Sequence, residues 1–68
     1  MVNTNKLKGA MVQAGFSQIT FAERLGMSKN TLNAKLNGKA KISTEEAKAM
    51  CEILGIATEK EKVEIFLN

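Results

Sequence analysis

Four of the five glycines are followed within a few residues by a serine or threonine, and these pairs punctuate the chain and constrain its fold more than any other feature. Gly15 precedes Ser17, Gly26 precedes Ser28, Gly38 precedes Ser43, and Gly55 precedes Thr58. Glycine stops a helix readily because it lacks the Cβ that resists positive φ. A hydroxyl residue starts the next one by accepting from an orphan backbone N–H. Proline is absent, and the stretches between the breaks are rich in Ala, Leu, Lys and Glu, which are good helix formers. No run alternates apolar and polar residues as a strand would, and no repeat or linker interrupts the series. The expectation is an all-α fold of five short helices.

The first helix should open near Asn3 or Thr4, carry Leu7, Ala10, Met11 and Ala14 at spacings of three and four, and end with Gly15 as C-cap. Ser17 caps the second, whose apolar face is Phe21, Ala22 and Leu25 and whose stop is Gly26. Ser28 caps the third; Leu32 and Leu36 turn inward and Asn37-Gly38 closes it. Met27 alone separates Gly26 from the Ser28 cap. A break so short cannot reverse the chain, so the second and third helices should cross steeply. Lys39 to Ile42 forms a basic loop, after which Ser43 and Glu46 make a capping box. The fourth helix should face the core with Ala47, Met50 or Cys51, and Leu54, and end at Gly55. A second capping box, Thr58 with Glu61, opens a final helix containing Val63, Phe66 and Leu67. This periodicity leaves Ile19, Ile53 and Ile65 partly exposed.

The 68 residues have room for one modest core, so residues 1–68 are expected to form one domain. With only Phe16, Phe21 and Phe66 as aromatics, that core must be built from aliphatic side chains, with Met11, Met27 and Met50 as fillers. Cys51, the only cysteine, permits no intrachain disulfide and no cysteine-based metal site, and on the apolar face of its helix it reads as a core residue. A reducing, cytoplasmic setting is expected. Met1 to Lys8 contains no long apolar run, so no signal peptide and no membrane partner are expected. Histidine is absent, and no pair of acids flanks a nucleophile in a catalytic pattern. Glu45, Glu46, Glu59 and Glu61 lie in first turns, where the helix dipole favours acids. Neither catalysis nor a cofactor, metal or small-molecule substrate is expected.

Charge is divided unevenly along the chain. Residues 1–42 carry seven Lys or Arg against one acid, and residues 43–68 carry three against six. A basic front and acidic tail point to a polyanion as partner of the first two thirds. The stretch from Gln18 to Leu36, QITFAERLGMSKNTLNAKL, gives that partner a form. Ala22 stands where two helices approach closely, Gly26 where the turn calls for positive φ, and Leu25, Met27 and Leu32 act as apolar wedges. In these positions, in Lys-Leu-Asn-Gly-Lys at 35–39 and in the five-helix layout, the chain resembles the helix-turn-helix of lambda-repressor-like proteins, the Cro/CI or XRE family, and especially its small phage-type members. Lys35 departs from the family pattern, standing where many members place an inward apolar residue.

The resemblance implies a sequence-specific regulator that binds a double-stranded DNA operator, as a homodimer if two half-sites one helical turn apart are used. With Leu32 and Leu36 inward, Lys29, Asn30, Asn33 and Ala34 project outward as candidate base contacts. Asparagine can pair with adenine, lysine can donate to guanine, and alanine can touch a thymine methyl. Candidate phosphate contacts ring that face: Gln18, Ser28, Thr31, Asn37, Lys39 and Lys41. Gln18 and Ser28 lie at helix N-termini, where free N–H groups favour an anion. The competing reading is a protein-binding module, such as an anti-repressor or antitoxin, that uses the same scaffold.

Overall fold

A computed structural model describes residues 2–67. Its helices are α1 Thr4–Gln13, α2 Gln18–Leu25, α3 Lys29–Leu36, α4 Thr44–Leu54 and α5 Glu59–Phe66, and the described residues contain no strand.

Every helix opens on a side chain that satisfies one of its orphan donors. Asn3, Ser17, Ser28, Ser43 and Thr58 accept from the backbone N–H of Lys6, Thr20, Thr31, Glu46 and Glu61, respectively. At Ser43 the box is reciprocal, because the Glu46 carboxylate accepts from the Ser43 N–H at 2.9 Å. The anticipated box at Thr58 is only half made: Glu61 Oε1 lies 3.2 Å from the Thr58 hydroxyl, which donates to it, and does not reach the backbone N–H. An unforeseen box opens α2, where Thr20 Oγ1 accepts from the Ser17 N–H at 2.9 Å.

The C-termini share one closure. After α1, α2, α3 and α4 a glycine takes positive φ and the next N–H reaches back five residues, as in Met27 to the Ala22 carbonyl at 3.0 Å. At Gly26 φ is +74°, which a residue with a Cβ adopts only with strain. After α1 the C-cap is Ala14, with Gly15 the next residue in the left-handed conformation; Ala14 is therefore exposed at the helix end, not packed inward as its spacing suggested.

The core gathers Leu7 and Met11 of α1, Phe21 and Ala22 of α2, Leu32 and Leu36 of α3, Met50 and Cys51 of α4, Ile56, and Ile65 of α5. Ile65 corrects the reading of the last helix. It is buried, whereas Val63 and Leu67 are exposed and Phe66 only half-buried. The cause is the way α5 lies on α1. The Asn3 N–H donates to the Ile65 carbonyl at 2.6 Å, and Lys6 pairs with Glu64 at 3.3 Å, which fixes α5 with Ile65 against the core. Ile53 is half-buried, and Ile19 is exposed as expected. Phe16, between α1 and α2, sets its ring 5.6 Å from that of Phe21 and carries the Arg24 guanidinium at 5.6 Å over its face.

Candidate nucleic-acid interface

The site is one face of α3 and what borders it. Leu32 and Leu36 are fully buried and dock the helix. Lys29, Asn30, Thr31, Asn33 and Asn37 are exposed, and Ala34 is half-buried beside them. These are the outward positions that the inward turn of Leu32 and Leu36 requires. The helix contains no acid, and Lys29 has no polar partner among the described residues. Lys39 and Lys41 follow in the exposed loop, at the rim of an open cleft of about 570 Å³ that Val2 and Ile42 line. Gln18 is half-buried at the first position of α2.

Hydrogen bonding sets what each group can still offer. Ser28 Oγ accepts from the Thr31 N–H at 3.1 Å and donates its own hydrogen to Thr31 Oγ1 at 2.9 Å. Its hydroxyl is thus committed within the helix, and the donor it leaves open is the Thr31 hydroxyl hydrogen. Ser28 keeps its place at a helix start, where the N–H groups that the cap leaves unpaired within the helix favour an anion.

Lys35 explains its own departure from an apolar residue. Its stem runs into the structure, leaving the side chain 12% exposed, and the ammonium donates to the Lys41 carbonyl at 2.8 Å and to Glu46 Oε1 at 2.9 Å. The Glu46 carboxyl is held below the ordinary value of 4.5 by the Ser43 N–H first and by Lys35 next, against an opposing effect of burial. Lys35 therefore packs inward like the apolar residue it replaces and pins the end of α3 to the start of α4.

One contributor escaped the sequence reading. Lys8 on α1 donates to Asn37 Oδ1 at 2.9 Å, and Asn37 Nδ2 donates to Asn33 Oδ1 at 2.7 Å. A cation from α1 thus stands at the C-terminal end of α3, where the dipole favours it. The 29-residue separation of Lys8 from Asn37 leaves no local signal for this contact. Asn37, marked for phosphate, has its carbonyl and one amide hydrogen engaged internally, leaving one Nδ2 hydrogen.

Elsewhere the chemistry is sparse. Among the described residues no group of three or more His, Cys, Asp and Glu side chains converges, and no helix is long and apolar enough to cross a membrane. Burial pushes the Cys51 thiol up, partly offset by Lys62.

The family described as Helix-turn-helix matches the chain over residues 7–60, which takes in most of α1, all of α2, α3 and α4, and the start of α5. No curated protein and no solved structure matches the chain.

Proposed function

This chain belongs to the Helix-turn-helix family, with the all-α lambda-repressor-like fold of DNA-binding transcriptional regulators of the XRE type, and from that premise we propose a sequence-specific, Cro/CI-like repressor of phage type. In this reading residues 1–68 work as one cytoplasmic domain that lays α3 in the major groove of an operator. Lys29, Asn30, Asn33 and Ala34 meet base edges. Phosphates are met by Gln18, Ser28 through its place at the α3 N-terminus, Thr31, Lys39, Lys41, and the remaining Nδ2 hydrogen of Asn37.

The observation that carries the reading is the outer face of α3: exposed amides and a lysine, no acid, on a helix whose two leucines are fully buried. A solvated structural helix needs no such concentration of base-reading groups beside two loop lysines. Two copies would bind half-sites one turn apart, and the C-terminal end, with Val63 of α5 and the C-cap Leu67 exposed, offers apolar surface for their contact.

Selection of bound sequences from a random duplex pool tests this, followed by titration of the winner and a scrambled duplex at two salt concentrations. A short palindromic winner held at least about 1000-fold above the scrambled control is expected. Equal, weak binding of both, lost steeply with salt, would refute specific recognition. Lys29→Glu should abolish the preference. If it leaves cellular activity intact, the scaffold serves a protein partner instead.

A further inference from the structure

The Lys8–Asn37–Asn33 chain does more than hold α3 in place. It runs in one direction: the ammonium donates to Asn37 Oδ1, and Asn37 Nδ2 donates to Asn33 Oδ1. Lysine has only donors, so the polarity of the chain is forced from its α1 end. Asn37 must turn its oxygen to Lys8 and its NH2 to Asn33. Asn33, in turn, must present its oxygen to Asn37, which takes one of that oxygen's two lone pairs, while both hydrogens of its NH2 stay open to the exterior. Asparagine pairs with adenine by accepting from the N6 amino group while donating to N7, whereas guanine offers two acceptors, O6 and N7, on the same edge.

We infer that Lys8 and Asn37 are positioning residues for base recognition, which engage the oxygen of Asn33 so that its NH2 leads the contact and guanine is selected over adenine. This rests on the DNA-binding reading above. Lys8 acts through two side chains and need not touch a base.

The test is selection from a random duplex pool with the wild type and with Asn33→Ala, Lys8→Met, Lys8→Arg and, as a control at an exposed position of α4, Lys48→Met. Helicity by circular dichroism confirms that each variant is folded. The wild type should select guanine at a base pair where Asn33→Ala loses about 10-fold of the preference. Lys8→Met should lose threefold or more, roughly, at that same pair and leave the other pairs within about twofold, because it acts on one coupled contact. Lys8→Arg should restore the preference and Lys48→Met should not alter it.

Three results overturn the inference. Adenine at the pair that depends on Asn33 refutes the fixed donor. Uniform weakening by Lys8→Met across all sequences, with a smaller salt slope, makes Lys8 a phosphate contact only. A wild-type motif in which no pair depends on Asn33 removes the contact altogether. Absence of any enriched motif is a different failure, that of the DNA-binding reading itself.

Discussion

Replacing Lys35 with methionine tests whether the inward lysine is a structural tie or a tolerated accident. The change keeps the unbranched stem and removes the ammonium, which donates to the Lys41 carbonyl at 2.8 Å and to Glu46 at 2.9 Å. Exposed ion pairs contribute about 0–1 kcal/mol, and hydrogen bonds to charged groups about 1.5–3 kcal/mol. Here the lysine side chain is 12% exposed but the glutamate 30%, so water reaches one partner and the pair lies between these limits. Lys35→Met should therefore cost about 1–2 kcal/mol, a fall in Tm of roughly 4–8 °C per kcal/mol for a domain this small. Glu46→Gln keeps an oxygen to accept from the Ser43 N–H and isolates the charge. A double-mutant cycle by urea denaturation should return a coupling of about 1 kcal/mol at pH 7.

The pH dependence gives an independent reading of the same pair. The folded Glu46 pKa lies below the ordinary value of 4.5, with the Ser43 N–H as the largest cause and Lys35 the next. A depressed carboxylate contributes stability that is fully present above the unfolded value and is lost as pH falls through the folded one. The gap between wild type and Lys35→Met should accordingly narrow on acidification from about pH 5 to about pH 3. A coupling within about 0.3 kcal/mol of zero, or a gap that does not change with pH, would refute the tie and return Lys35 to the role of an apolar filler.

Three further outcomes follow from the same geometry. Gly26→Ala should destabilise by about 1 kcal/mol in urea, because an added Cβ meets no atom within 4 Å and only the φ of +74° resists it; a loss several times larger would show that packing, not backbone strain, selects the glycine. Phe21→Ala, at a fully buried position, should cost about 3–5 kcal/mol and leave little native helicity at 37 °C. Cys51 should react slowly with a thiol reagent at pH 8 in native buffer and rapidly in urea, since it is buried and its thiol is pushed up; native rates equal to those of the unfolded chain would contradict its place in the core.

What the sequence disclosed, and what it hid, divide along the range of the interactions. Caps and stops are local: Ser17, Ser28 and Ser43 bond within three residues, and Gly26 and Gly55 adopt their φ whatever lies across the core. The five helices and the inward turn of Leu7, Phe21, Leu32 and Leu36 were legible for that reason. The final helix was misjudged because its eight residues carry apolar groups at 63, 65 and 66, with Leu67 at the C-cap, spread round the cylinder. The choice among them is made by α1, through the Asn3 bond to the Ile65 carbonyl and the Lys6–Glu64 pair. Lys35 looked like a departure since its partner Glu46 is eleven residues away, and Lys8 was passed over for the same reason at greater distance.

These long-range polar contacts bear on one helix more than on any other. At eight residues α3 is too short to persist alone in water. It has only Leu32 and Leu36 fully buried, worth about 1.5–3 kcal/mol each. Two leucines on one stripe hold a helix down but leave it free to roll by some degrees about its axis, and a roll carries every outward side chain across the groove. The polar contacts oppose that roll from different directions. Lys35 ties the C-terminal half to Glu46 of α4, and Lys8 of α1 holds Asn37 at the end. A base-reading face set by apolar docking alone would tolerate the loss of any one of them. A face set jointly would lose base discrimination before it lost stability.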